Sequence, residues 1–254
     1  KTAGSDARGT GTMAVKEGNE WVINGSKQYI TSGSTPMCAG ITLQVVTGED
    51  GGKKELSTIL VERERDGYSV EKMTGKMMWR AADTARLTFE NVRVPVSNLL
   101  GEKGKGPHYM FETLDGGRLS IAAMGLGLAR GAFEHALEYA KKREQFGRAI
   151  GKNQAIAFKI ADMDMKIELA RNLLYKACWM KDQGKNFSRE AAMAKLYCSE
   201  IAREVADEAI QVFGGAGLFK SSPVERFYRD QRLLQIGEGT SEILRLVLSR
   251  HLGL

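Results

Sequence analysis

The stretch QAIAFKIADMDMKIELARNLLYKA, residues 154–177, decides the architecture of the second half of this chain. Its apolar residues Ile156, Ile160, Met163, Ile167, Ala170, Leu174 and Ala177 recur in alternating steps of four and three. That spacing draws one stripe along an α-helix, so the segment predicts a long amphipathic helix with a single buried face. Two more stripes flank it. Ile121, Met124, Leu128, Ala132, Ala136 and Tyr139 precede it; Ala194, Cys198, Ile201, Val205, Ala209 and Val212 follow, with Ser188 as the expected N-cap. A shorter helix is expected from Thr240 through Leu244, Val247 and Leu248. Four helices with short connections bury their stripes together as an up-and-down four-helix bundle.

Residues 1–100 have a different period. Gly18-Asn19 and Asn24-Gly25 separate short apolar runs within residues 13–31, and Asn24-Gly25 is a two-residue hairpin signal because both residues tolerate positive φ. Strand-like runs follow at Ile41–Thr47, Leu56–Val61, Tyr68–Met73 and Leu87–Val94, with turn-rich linkers such as Gly48–Gly52 that leave no room for helices. The expected chain is therefore a multi-domain α+β protein. Residues 1–100 form an antiparallel β-barrel or sandwich, and residues 101–254 form the helical bundle.

Composition narrows the class of function. With 254 residues, 43% of them hydrophobic, the chain can bury a core in each half, and no apolar run approaches the roughly 20 residues that cross a bilayer, so no membrane partner is expected. The net charge of +6 comes from basic residues scattered among 31 acidic ones, without a long Lys/Arg block, which argues against a nucleic-acid partner. Cys38, Cys178 and Cys198 lack metal-ligand or CxxC spacing and read as structural thiols in a reducing compartment. His108, His135 and His251 are isolated, so no metal site is expected. The first ten residues lack an initiating Met and a secretory signal and read as loop, so the chain is expected to begin inside a larger protein.

Five short motifs then occur in order: Ala3-Gly4-Ser5-Asp6, Tyr29-Ile30-Thr31, Arg143-Glu144-Gln145-Phe146-Gly147, Gln211-Val212-Phe213-Gly214-Gly215 and Glu238-Gly239-Thr240-Ser241. Trp79-Arg80-Ala81-Ala82-Asp83-Thr84 and Val92-Arg93-Val94-Pro95 accompany them. In order and approximate spacing the set resembles the middle and C-terminal parts of the acyl-CoA dehydrogenase family, its short-chain or butyryl-CoA members in particular, without the family's N-terminal helical domain. The resemblance implies an FAD enzyme that oxidises an acyl-CoA thioester to the trans-2-enoyl-CoA, in the bacterial cytoplasm or mitochondrial matrix. A base removes the α-proton while a hydride leaves the β-carbon for the flavin. Glu238 matches the base. Some family members place the base immediately before the arginine matching Arg118, where this sequence has Gly117.

By the same resemblance Ser5, Tyr29, Ile30 and Thr31 contact the flavin, with Thr31 bonding the hydride-accepting nitrogen and Tyr29 packing where many relatives have Trp. Arg143 is matched to the FAD pyrophosphate, with Phe146 and Gln154 beside it, and Gln211, Gly214 and Gly215 to the adenine end from a neighbouring subunit. Thr240 and Glu242 are further FAD contacts. Ser5, Asp115, Arg118 and Gly239 match residues at the acyl-CoA site, while Gly237 stands where many relatives have Tyr. No GxGxxG follows a strand, so FAD is held by scattered contacts rather than a Rossmann turn. The implied partners are the acyl-CoA substrate, an electron-transferring flavoprotein and further copies of the chain in a homotetramer. Two alternatives share the resemblance: an acyl-CoA oxidase, which passes electrons to oxygen, and a DNA-binding homologue.

Overall fold

The first hairpin reverses at Gly18-Asn19, between β1 (Met13–Glu17) and β2 (Glu20–Thr31), and not at Asn24-Gly25. β2 runs through Asn24-Gly25, where its register against β6 (Thr84–Pro95) is irregular. The Asn24 side-chain amide donates to Asn91 Oδ1 at 3.1 Å, and its oxygen accepts from the Asn91 amide at 2.8 Å. A Cβ on Gly25 would stand 2.8 Å from the Thr12 Cα. The expected turn is thus a β-bulge and a close backbone approach, two other uses of the same residue types.

This computed structural model describes residues 3–254, which fall into two compact units that divide between Thr113 and Leu114. The first unit also contains β3 (Gly40–Asp50), β4 (Lys53–Glu62), β5 (Tyr68–Lys72) and the short β7 (Leu99–Leu100). These strands form one seven-stranded sheet in the order β5-β6-β2-β1-β3-β4-β7. Pairings are antiparallel except β1 with β3, which are parallel, and the terminal strands β5 and β7 do not pair, so the sheet is mixed and open rather than a closed antiparallel barrel. Periodicity reports which face of a strand is buried and not which strand lies beside it. The faces were legible: Trp21, Ile23, Leu43, Val45, Ile59, Val61, Leu87 and Phe89 alternate along their strands into one core.

The helical part comprises α1 (Gly106–Lys142), α2 (Gln154–Asp182), α3 (Ser188–Phe213), α4 (Pro223–Asp230) and α5 (Ser241–His251). A small hairpin of β8 (Glu144–Gln145) and β9 (Arg148–Ala149) joins α1 to α2. α2 buries Met163, Ile167, Ala170, Leu174 and Ala177, the C-terminal five of the seven stripe residues. It runs antiparallel to α3, as the pairs Lys166–Glu204, Cys198–Ala170 and Lys176–Glu190 show. α1 runs parallel to α3: a Cβ on Gly125 would touch the Cys198 carbonyl, and Tyr139 stacks on Phe213 with ring centroids 4.2 Å apart. Up, down and up follow in sequence as expected.

Three details differ from the sequence reading, the first in α1, which buries Leu119, Ala122, Leu126 and Ala129 while Met124 of the expected stripe is exposed. α3 is capped by Phe187 and not Ser188, which is its first helical residue. The eight-residue α4 went unread because it buries only Val224, too little for a stripe, although Pro223 at its start is a helix-initiating signal. Among the described residues no helix is long and apolar enough to cross a membrane, and no group of three or more His, Cys, Asp or Glu is arranged to hold a metal ion. Burial drives the Cys198 thiol up to about 12, so it is an inert core residue.

Candidate active site

Glu238 stands in a short connection between a 3-10 turn, Gln231–Gln235, and α5. Its φ is +54°, a left-handed conformation that a residue with a side chain adopts rarely. Gly237 and Gly239 flank it, and Gly239, at φ +95°, has a conformation that only glycine takes without strain. The chain therefore turns sharply on both sides of one carboxylate. That carboxylate lies over α1 at Gly117, where an added Cβ would be 2.6 Å from Glu238 Oε2. The glycine leaves the room that the acid occupies.

Asp115 and Arg118 lie on the same stretch of α1 and are ion-paired at 2.6 Å. Arg118 is buried, and its Nε has no hydrogen-bond partner among the described residues, an unspent donor beside the carboxylate site. Thr240 caps α5, its hydroxyl accepting from the Ile243 amide at 3.3 Å. The amide of Glu242 itself and the Thr240 hydroxyl hold the Glu242 carboxyl below the usual carboxylate range.

At the far end of α1, about 38 Å along the helix from Gly117, the chain enters the β8–β9 hairpin. Phe146 and Gly147 form its two-residue turn with φ of +53° and +74°. A left-handed aromatic is a conformational outlier, and the Phe146 ring is 96% exposed. The exposed Arg143 guanidinium has no hydrogen bond or ion pair among the described residues. Gln154 is exposed at the start of α2. The Tyr139–Phe213 stack brings the C-terminal end of α3 to this end of α1, so exposed Gln211, Gly214 and Gly215 belong to the same end of the bundle as Arg143.

In the first unit a β-bulge in β2 between Lys27 and Ile30 re-aims Tyr29, which has φ +63° and is 68% exposed. Tyr29 and Ile30 line a cleft of about 1050 Å³ together with Gly4, Gly25, Lys27 and Arg86. Ser5 and Thr31 are exposed. Asp83 pins the residues after Thr31, accepting from the Ser34 amide at 2.9 Å and from its hydroxyl. The predicted residues thus form three groups: the Glu238 cluster, the end of the bundle at Arg143, and the β2 bulge.

Residues 1–92 match the family model of the acyl-CoA dehydrogenase middle domain, and residues 104–253 match that of its C-terminal domain. The chain belongs to the acyl-CoA dehydrogenase family. It is 48% identical to the probable acyl-CoA dehydrogenase YngJ of Bacillus subtilis, an alignment covering 98% of this chain and 66% of the relative. It is 42% identical to the caffeyl-CoA reductase-Etf complex subunit CarC of Acetobacterium woodii, over 97% and 65%. The structure of butyryl-CoA dehydrogenase from Megasphaera elsdenii is similar with a TM-score of 0.96 and 41% identity, covering all of this chain and 66% of that one. The chain spans just under two thirds of the length of these relatives.

Sequence reasoning does not single out two residues of this chain. Lys195 of α3 is completely buried, and its Nζ donates to the Gly239 carbonyl at 2.6 Å. Glu200, five residues on, accepts from Gln235 Nε2 at 2.9 Å and from Ser241 Oγ at 2.6 Å. A signal was available: Lys195 follows Ala191 by four residues and precedes Cys198 by three, which puts a lysine in an apolar stripe.

Proposed function

We propose that this chain carries the α-proton-abstracting base of a flavin-dependent enzyme that oxidises a short acyl-CoA thioester to the trans-2-enoyl-CoA. The observation that carries this reading is the Glu238 carboxylate, turned out by a left-handed residue between two glycines and seated over Gly117. A positioned carboxylate is a suitable general base for the α-proton. Arg118, buried with a donor to spare, would orient the polar part of the thioester, and Asp115 fixes the guanidinium.

The residues present suit FAD. Tyr29 and Ile30 at the cleft, with Ser5 and Thr31, would hold the ring system. Arg143 would pair with a pyrophosphate, and exposed Phe146, Gln154, Gln211, Gly214 and Gly215 would flank the adenine end; Thr240 and Glu242 are proposed as further contacts. When bound, FAD supplies the hydride acceptor. Glu238 removes the proton, Gly239 gives the substrate close approach to the backbone, and Thr240 keeps the start of α5 in place.

Gly117 and Arg143 stand too far apart along α1 for one dinucleotide to touch both, which supports assembly with each chain serving two cofactors. Phe158, Met165, Leu169 and Trp179 leave an apolar outer face on α2, suited to packing against another copy in a homotetramer. An electron-transferring flavoprotein is the proposed acceptor, in keeping with the name of the relative from the Etf complex. Anaerobic titration of the full-length holoenzyme with acyl-CoAs of increasing length tests the reading. Flavin bleaching by short chains is expected there, and in a separate aerobic turnover assay transfer to the flavoprotein should exceed peroxide formation. An enzyme that no acyl-CoA bleaches would overturn it.

A further inference from the structure

We propose that Lys195 is a positioning residue for the base: from the buried face of α3 it holds the Gly239 carbonyl and, with Glu200, locks the segment from Gln235 to Ser241 so that Glu238 keeps its left-handed conformation over Gly117. This rests on the reading of Glu238 as the base. Three hydrogen bonds support it, one to the residue after Glu238 and two to residues three positions on either side, all from one turn and a half of α3. Strained backbone of this kind persists where the surroundings over-determine it.

A fully buried lysine is costly unless it is paired, and a methionine of similar length would fill the same space without that cost. The groups around the ammonium are Glu200 on its own helix, Arg118 of α1, Glu238 of the connection and Glu242 of α5. Burial and then Arg118 push Lys195 down to about 8, against the three carboxylates, which favour its charge. At neutral pH the residue is mostly the cation, so its hydrogen bond to the Gly239 carbonyl is charge-assisted.

Lys195→Met in the full-length holoenzyme, followed by anaerobic stopped-flow reduction of the flavin, tests the proposal. FAD content and substrate affinity should stay within about threefold, while the reduction rate falls roughly tenfold to a hundredfold, the scale of a misplaced reacting group. The acid limb of the rate against pH should move up, because a positive charge near the base has gone. A rate within twofold of wild type per bound flavin, with an unmoved pH profile, overturns the proposal. If Lys195→Met loses its fold or flavin, Lys195→Gln carries the test: it keeps a polar end without the charge and must show the same shift of the acid limb, and a wild-type profile there is equally fatal. Glu238→Gln is the control. A fast Glu238→Gln removes the reading of the base itself, whereas an inert Glu238→Gln beside a fast Lys195→Met removes only the role of Lys195.

Discussion

Glu238 and Phe146 share an uncommon backbone, with φ of +54° and +53°, in opposite surroundings. Glu238 is half-buried, flanked by glycines, and its connection is tied to α3 at Gln235, Gly239 and Ser241. Phe146 sits in a two-residue hairpin turn and is 96% exposed, three residues after Arg143, whose guanidinium has no hydrogen bond or ion pair among the described residues. The difference separates two ways of building a site. The chain's own side chains fix the carboxylate, so its geometry is set before any ligand arrives. At the hairpin the strain is stored on an outward-facing aromatic, which suits the proposed role of this end as a surface completed by a ligand.

After removal of the base itself, the largest effect is expected at Gly117. Gly117→Ala places a methyl 2.6 Å from Glu238 Oε2, and the flexible end of the acid is what yields. Flavin reduction should fall by roughly tenfold to a hundredfold, the scale of a displaced reacting group. Stability should rise by about 0.5–1 kcal/mol, because alanine is favoured over glycine within a helix. Urea melts read beside stopped-flow rates check both; unchanged reduction would mean that the carboxylate does not work from this seat.

At the other region, Arg143→Ala should weaken FAD binding by roughly ten- to a hundredfold, the loss of a charge-assisted hydrogen bond worth about 1.5–3 kcal/mol. Turnover at saturating FAD should recover, and flavin titration reads the difference. Phe146→Asn, which suits a left-handed position, should stabilise the protein by about 1 kcal/mol while lowering FAD affinity, sharpening the contrast with Glu238. Lys195 adds a pH signature to the buried region. Its folded value of about 8 lies below the ordinary 10.5, so between these values the unfolded chain binds more protons and stability rises with pH. The rise should be absent in Lys195→Met when the two are melted side by side across that window.

Much of the architecture was readable because burial writes itself into period. The stripe from Met163 to Ala177 and the alternation of Leu43, Val45, Ile59 and Val61 are direct records of one face turned inward. The β1–β3 parallel pairing left no such record, and Asn24-Gly25 was misread because a bulge and a hairpin ask for the same residues. At the proposed site, Glu238 stands out in the sequence through the family resemblance of its motif and its flanking glycines. Lys195 and Glu200 were not, since their partners are a backbone carbonyl and two side chains 35 to 44 residues away, and only the lysine's place in an apolar stripe hinted at them.

The most direct measurement is anaerobic single-turnover reduction of the flavin in full-length Glu238→Gln by a saturated short-chain acyl-CoA. The amide keeps the shape and loses the basicity, so FAD should remain bound and the substrate should still bind. Reduction should slow by ~10² to 10⁴, the usual contribution of a general base. Near-normal bleaching by the same substrate would contradict the assignment of Glu238 as the base and, with it, the roles of Gly117 as its seat and Lys195 as its anchor.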